Sequence, residues 1–150
     1  VLFRSVETSG SGRREDYLAG VPDVDLWLWD IKLMDSDLYR EYTGGNLGRM
    51  LSSLDAIASA GASILFRVLY IPEIHSLPSV VKGTAALLEK YSCFPFEIIP
   101  YHLLGNAKRD KLGLPERRFR EPTASEISGF RKLLRPCQYS SRPGKEPRPS

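Results

Sequence analysis

The stretch WLWDIKLM, residues 27–34, combines a bulky apolar run with an acid and a base two positions apart. The apolar residues are typical of a buried β-strand, and residues i and i+2 of a strand point to the same face. Asp30 and Lys32 are therefore predicted to project into one space. Buried charges are costly unless they are paired or meet a ligand, and a carboxylate beside an ammonium suits a zwitterionic or oppositely charged ligand.

Polar residues also lie at or near the carboxyl ends of three other apolar segments. These residues are Glu7–Thr8, Arg67 and Tyr101–His102. In parallel α/β folds the carboxyl ends of the strands form the face where ligands bind. We therefore predict one shared site, formed by Asp30, Lys32, Arg67 and His102. Within it, Arg67 can clamp a carboxylate or phosphate through two hydrogen bonds.

Each of these residues also has a purely structural interpretation. Asp30 can cap the following turn, and Lys32 can extend its charge into solvent. Arg67 can pair with a nearby acid such as Glu97, and His102 can be a satisfied histidine beside a loop. The shared site is favoured because four separate segments deliver polar groups to one edge.

The elements that position these residues alternate along the chain. Apolar segments predict strands near residues 2–7, 25–31, 63–70 and 96–101. Helical periodicity and capping residues predict helices near residues 15–19, 35–42, 46–60, 77–91 and 123–135. Strands that are apolar throughout and alternate with helices imply an α/β fold, with a parallel sheet covered by helices.

The composition excludes several classes of protein. The 150 residues are 42% hydrophobic and 26% charged with a net charge of +3, which is typical of a globular domain with a core. No apolar run approaches the roughly 20 residues of a membrane helix, and no motif indicates nucleic acid. Two distant cysteines and no export signal predict a cytoplasmic setting. Residues 1–135 are expected to fold, and the Pro- and Arg-rich tail at 136–150 to be disordered.

Several motifs resemble a known family in their order and spacing. They are VETSG, DIK followed by EYTG, FRVLYIP and PYHLLGNAKRDKLG. From about Val6 to Arg135 the sequence resembles the activating enzymes of glycyl radical enzymes, in the radical S-adenosylmethionine (SAM) superfamily. Each motif alone is weak, but the ordered set is specific. The resemblance implies a partial (β/α) barrel, with this chain as the last four βα units of a six-unit barrel.

The resemblance also implies an activity. Such enzymes cleave SAM at a 4Fe–4S cluster, and the resulting 5′-deoxyadenosyl radical removes a hydrogen from a glycine of a partner, the glycyl radical enzyme. A flavodoxin or a ferredoxin-type protein would supply the electron. Lys32, Arg67 and His102 would contact SAM, and Asp30 would lie beside its charged part.

A cation position is implied near Glu7, Thr8 and Asp30, although the family often has Asp where Glu7 stands. His75 replaces the Asn that is usual after the IP-x-I turn. The largest departure from the family pattern is the absence of its CxxxCxxC cluster loop and of its Gly-Gly-Glu motif. Two scattered cysteines cannot replace three ligands on one loop, so we expect this chain, as given, to bind no 4Fe–4S cluster and to cleave no SAM.

Two functions therefore remain open. The chain is either the C-terminal portion of a glycyl-radical-enzyme activase or an inactive, truncated barrel fragment with at most weak binding of a nucleotide-like ligand. The first five residues, VLFRS, precede the resemblance. Leu-Phe-Arg-Ser is encoded by CTC-TTC-CGA-TCT, which resembles the end of a common sequencing adapter, and we expect Val1–Ser5 to be an assembly artefact. The alternative is a real strand that begins with Val1, Leu2 and Phe3 packed inward.

Overall fold

The computed structural model describes residues 2–103 and 119–134. The strands in these residues are β1 (Ser5–Thr8), β2 (Leu26–Ile31), β3 (Ile64–Tyr70) and β4 (Phe96–Pro100). The helices are α1 (Arg14–Gly20), α2 (Ser36–Thr43), α3 (Leu47–Ser59), α4 (Pro72–His75), α5 (Pro78–Lys90) and α6 (Ala124–Leu134). A 3₁₀ turn, Val21–Asp23, leads into β2.

The strands form a parallel sheet in the order β1-β2-β3-β4. The parallel α/β fold predicted from the alternating pattern is thereby confirmed, and the strands lie in the sheet in their order along the chain. Because every strand runs the same way, all carboxyl ends lie at one edge of the sheet. This edge is where the sequence placed its polar residues.

The two faces of the sheet differ in composition because strand residues alternate. Trp27, Trp29 and Ile31 of β2 are buried on the face that helices cover. Helix α1 contributes Tyr17, whose ring packs against Trp27 and Trp29, and α3 contributes Met50, whose Sδ lies 3.4 Å from Trp29 Nε1. Burying one such large apolar side chain stabilises the fold by roughly 1.5–3 kcal/mol. The residues of β2 and β3 on the opposite face are half-buried, and they include Asp30 and Arg67.

The helix ends follow the capping chemistry of the sequence. Asp35 accepts hydrogen bonds from two main-chain N–H groups at the start of α2, and Asn46 accepts one at the start of α3. Thr123 and Glu126 exchange reciprocal hydrogen bonds at the start of α6, in the arrangement of a capping box. These local signals satisfy helix N–H groups that have no partner within the helix, which is why they locate the helix starts well.

Two details differ from the sequence predictions. Strand β1 begins at Ser5, and Leu2 and Phe3 are exposed rather than packed inward. The short helix α4, which begins at Pro72, was not among the helices predicted from the sequence. Proline favours the first turn of a helix because its fixed φ suits that turn and its missing N–H is not needed there.

Some predictions fall outside the described residues. They are the disordered tail at 136–150 and the part of PYHLLGNAKRDKLG that follows Leu103. Within the described residues, no helix has the length and apolar character needed to cross a membrane.

Gly10, in the loop after β1, lies directly against the helix-covered core. Its φ is +72°, in the left-handed region that disfavours other residues. A Cβ at this position would lie 2.5 Å from Trp29 Cζ2 and 2.7 Å from Met50 Cγ. The loop after β1, with the sequence SGSG at residues 9–12, therefore needs glycine at position 10 for both its conformation and its close approach to Trp29.

We predict that Gly10→Ala destabilises the fold by about 2–4 kcal/mol, since strain and overpacking add at this position. Gly44→Ala is the matched control, because Gly44 has φ +68° but a Cβ added there would meet no atom within 4 Å. The control should cost only about 1 kcal/mol, from backbone strain alone. Urea unfolding of both variants measures the difference, and equal losses would show that the approach to Trp29 contributes nothing.

Candidate functional site

Charged side chains form a row across the face of the sheet opposite the helices. The register pairs Asp30 on β2 with Arg67 on β3, and Arg67 with Glu97 on β4. Partners in a parallel ladder point to the same face, and Glu7 of β1 is paired with Leu28, which shares the face of Asp30. We call Glu7, Asp30, Lys32, Arg67 and Glu97 the Arg67 cluster.

Arg67 is the centre of this cluster. Its Nη1 lies 2.6 Å from Glu7 Oε2, and its Nε lies 3.6 Å from Asp30 Oδ1 and 3.8 Å from Glu97 Oε1. The hydrogen bond with Glu7 raises the pKa of Arg67, and the charges of Asp30, Glu7 and Glu97 add to this effect against the cost of burial. The pairing with Glu97, the structural alternative from the sequence, is therefore present as one part of a larger network.

Asp30 lies between two cations. Lys32 Nζ is 3.4 Å from Asp30 Oδ2, so the i, i+2 spacing does bring acid and base together. Asp30 Oδ1 is buried and has no hydrogen-bond partner among the described residues, although the guanidinium of Arg67 is close. A buried carboxylate oxygen without a hydrogen bond is unfavourable by itself, and the charge of the nearby Arg67 offsets part of that cost.

His102 lies at the same edge of the sheet but in a different set of contacts. It follows β4 and is exposed, and its Nδ1 lies 3.6 Å from Glu121 Oε1. Glu121 also accepts a hydrogen bond from the main-chain N–H of Leu103. The structure thus brings Asp30, Lys32 and Arg67 into contact, while the described ion-pair partner of His102 is Glu121.

Thr8 is separated from Glu7 by the alternation of the strand. The register places Thr8 beside Trp29 on the helix-covered face, and its hydroxyl lies 2.8 Å from Tyr17 Oη. Glu7 and Asp30 share Arg67 on the other face, so the structure does not gather Glu7, Thr8 and Asp30 around one point. Among residues 2–103 and 119–134, no three His, Cys, Asp or Glu side chains are arranged to hold a metal ion.

His75 is a site residue whose role the sequence did not indicate. It is almost fully buried in α4, with Nε2 2.6 Å from the main-chain oxygen of Lys32 and Nδ1 3.1 Å from the main-chain nitrogen of Ile71. Burial lowers the pKa of His75, and the contacts of its ring nitrogens with the main-chain oxygens of Lys32 and Ile71 oppose that shift. The available signal was a histidine within the apolar IPEIH segment, but the contact with Lys32 spans 43 residues of sequence.

A cleft of about 340 Å³ opens at this edge, beside Lys32. Glu41, Tyr42 and Thr43 of the EYTG motif line one side, and Leu69 of β3 and His75 of α4 line another. Leu69 shares its face with Arg67, so the cleft continues from the Arg67 cluster. The motif and the charged residues, which are far apart in sequence, therefore contribute to one concave surface.

Removing Arg67 should reveal how much the cluster depends on it. We predict that Arg67→Met lowers the free energy of unfolding by about 2 kcal/mol, less than for a fully buried pair because the site is partly exposed. Glu97→Gln should cost under about 1 kcal/mol, since Glu97 is half exposed. Adding Asp30→Asn to Arg67→Met should restore part of the loss, and thermal unfolding tests this. If the double variant loses as much free energy of unfolding as the two single variants together, the pairing of Asp30 with Arg67 is contradicted.

His75 should make the stability of the fold depend on pH. Its folded-state pKa is lowered from 6.5, so below that pH the unfolded chain takes up a proton that the folded chain does not. Stability is therefore complete above about pH 6.5 and falls as the pH drops toward the folded-state pKa. Urea unfolding from about pH 7.5 to about pH 5 should show a larger loss for the wild type than for His75→Gln. Parallel curves for the two proteins would refute the lowered pKa.

Comparisons with known proteins give a consistent result. No family model matches the chain. The trans-4-hydroxy-L-proline dehydratase activating enzyme of Clostridioides difficile is 24% identical over 144 residues, which are 93% of this chain and 48% of that protein. The isethionate sulfite-lyase activating enzyme of Nitratidesulfovibrio vulgaris is 30% identical over 109 residues, which are 71% of this chain and 35% of that protein.

A solved structure supports the fold. A domain of the pyruvate-formate lyase-activating enzyme from Bacteroides vulgatus superposes with a TM-score of 0.69 at 21% identity, covering 89% of this chain and 75% of that one. The chain spans about half or less of the length of the two curated relatives. Over that span, the resemblance predicted from the motifs is confirmed: this chain is similar to activating enzymes of glycyl radical enzymes.

Proposed function

We propose that this chain provides the C-terminal part of the SAM site of an activating enzyme, which uses SAM and a 4Fe–4S cluster to generate a glycyl radical on a partner enzyme. The observation that carries the proposal is Asp30, held between Lys32 and Arg67 with one buried oxygen that lacks a hydrogen-bond partner among the described residues. The similarity to activating enzymes of glycyl radical enzymes supports the same assignment.

The residues fit the charged part of SAM. That part carries a carboxylate, an ammonium and a sulfonium, so it needs both a cation and an anion from the protein. Lys32 is 37% exposed and can meet the ligand carboxylate, whereas Arg67 is already engaged by three acids. Asp30, whose side chain is 20% exposed, can face the ammonium with its carboxylate. Arg67 then acts mainly by fixing Asp30, and His102 contacts SAM from the end of β4.

The residues of this chain do not fit a 4Fe–4S cluster. Cys93 lies between α5 and β4, at the amino edge of the sheet, whereas the proposed site is at the carboxyl edge. Cys137 lies outside the described residues. A cluster needs several thiolates converging on it, so we assign no step of the cluster chemistry to these residues.

The partners follow from the same proposal. The protein substrate is a glycyl radical enzyme, and the electron donor is a flavodoxin or a ferredoxin-type protein. We propose a cytoplasmic setting and no partner among nucleic acids or membranes. The basis is the similarity to activating enzymes together with the sequence composition.

Calorimetric titration with SAM tests the site. We predict that Lys32→Ala weakens SAM binding by about tenfold, the effect of losing one charge-assisted hydrogen bond. Lys90→Ala is the matched control, because Lys90 pairs with Asp55 at the end of α5 that leads into the amino edge of the sheet. Its affinity for SAM should equal that of the wild type.

S-adenosylhomocysteine keeps the carboxylate and the ammonium of SAM but lacks the sulfonium charge, so it isolates recognition of that charge. The wild type should prefer SAM, and Asp30→Asn should reduce that preference. If the wild type and Lys32→Ala bind both compounds equally weakly, the chain is better described as an inactive fragment with weak binding of nucleotide-like ligands.

A further inference from the structure

We propose that His75 is a positioning residue for Lys32: through the main-chain oxygen of Lys32, it holds that side chain over Asp30. This inference rests on the proposed function only in assigning Lys32 a ligand contact. The contact between His75 and Lys32 itself joins α4 to the end of β2, two elements that are 43 residues apart in sequence.

The hydrogen bonds of His75 select one neutral tautomer. Nδ1 lies 3.1 Å from the main-chain nitrogen of Ile71 and 3.3 Å from its main-chain oxygen, so it can accept from the N–H or donate to the carbonyl. The Lys32 oxygen can only accept, so a neutral ring must carry its proton on Nε2 and accept from Ile71 through Nδ1. Nε2 then carries the proton and donates to the main-chain oxygen of Lys32 at 2.6 Å. The opposite tautomer would place the unprotonated Nε2 against that oxygen, with two acceptors facing each other. Of the two neutral tautomers, only the one protonated on Nε2 satisfies both ring nitrogens.

The bond acts where the strand ladder has ended. The last register pair between β2 and β3 is Ile31 with Val68, so Lys32 is the first residue beyond the paired strand. Leu33, which follows, is buried. His75 fixes the carbonyl between them, and this fixes the peptide plane from which the Lys32 side chain extends. Losing that bond removes a restraint on the orientation of this peptide plane, so Nζ can turn away from Asp30.

Aromatic packing holds the imidazole in place. Tyr70, at the end of β3, and Phe130, on α6, stack with ring centroids 4.4 Å apart. Each also packs edge-on against His75, at 6.2 and 6.1 Å. The ring therefore cannot turn away from Lys32 without disturbing two other elements, which is the rigidity that a positioning residue requires.

A purely structural role for His75 makes a different prediction. If His75 serves only α4, its important bond is the one to Ile71, which lies immediately before that helix. Two substitutions separate these roles. In His75→Gln the amide nitrogen can take the place of Nε2 and keep the bond to Lys32. In His75→Asn the shorter amide can take the place of Nδ1 and keep only the bond to Ile71.

The test is SAM calorimetry combined with urea unfolding on this chain. His75→Asn should bind SAM about tenfold more weakly than the wild type, and His75→Gln should recover most of that loss. In a Lys32→Ala background, His75→Asn should have no further effect on SAM affinity, because its target is already gone. Equal affinities for the Asn and Gln variants, or an undiminished effect in the Lys32→Ala background, would overturn the proposal.

A second measurement does not depend on SAM. Reductive ¹³C-methylation gives each lysine an NMR signal, and Lys32→Arg identifies the signal of Lys32. That signal should move toward the position of a solvent-exposed lysine in His75→Asn and stay in place in His75→Gln. If the wild type binds no SAM, the proposed function fails, but the Lys32 signal still decides this inference. An unmoved Lys32 signal in folded His75→Asn overturns it.

Discussion

Arg67 and the acids on its neighbouring strands form the interaction on which one face of this sheet depends. A guanidinium in the second-last strand would be unfavourable among apolar neighbours, and so would Asp30 with a buried oxygen. The parallel register places the two residues side by side, and Glu7 and Glu97 extend the row to the outer strands. Each charge is tolerated because the others are present.

The opposite face supplies the rigidity that this arrangement needs. Trp29 and Phe66 are fully buried beside helices, in register with each other, and each alternates along its strand with a charged residue. Because the strands cannot slip by one residue without exposing these rings, the core fixes the register of the charged row. Gly10 adds to this constraint because it lets the loop after β1 pack directly against the ring of Trp29.

The cost of the charged row is informative about its role. Apolar side chains at Asp30 and Arg67 would be expected to serve stability equally well or better. A sequence that keeps a partly exposed acid between two cations, beside a cleft that Lys32 lines, presents charged groups to a ligand. The cluster carries three acids and two bases, so cationic parts of a ligand are favoured near Asp30, while Lys32 can meet an anionic part.

Local chemistry and periodicity in the sequence determined the strands, their sequential parallel order and most helix starts. Apolar segments, the Asp35 and Asn46 caps and the Thr123–Glu126 box act within a few residues, so a single sequence reveals them. The pairing of Asp30 with Lys32 was also local, because it follows from their spacing along one strand.

Tertiary structure alone decided the contacts that join distant elements. Glu7 makes the shortest ion pair of Arg67, although the two residues lie on strands that are not adjacent in the sheet. His75 contacts the main-chain oxygen of Lys32, which is 43 residues away in sequence. Thr8 turned toward Tyr17 rather than Glu7, and His102 paired with Glu121 rather than the Arg67 cluster. A strand pattern predicts which edge a residue occupies, but only the packed sheet and its helices determine which partner each side chain meets.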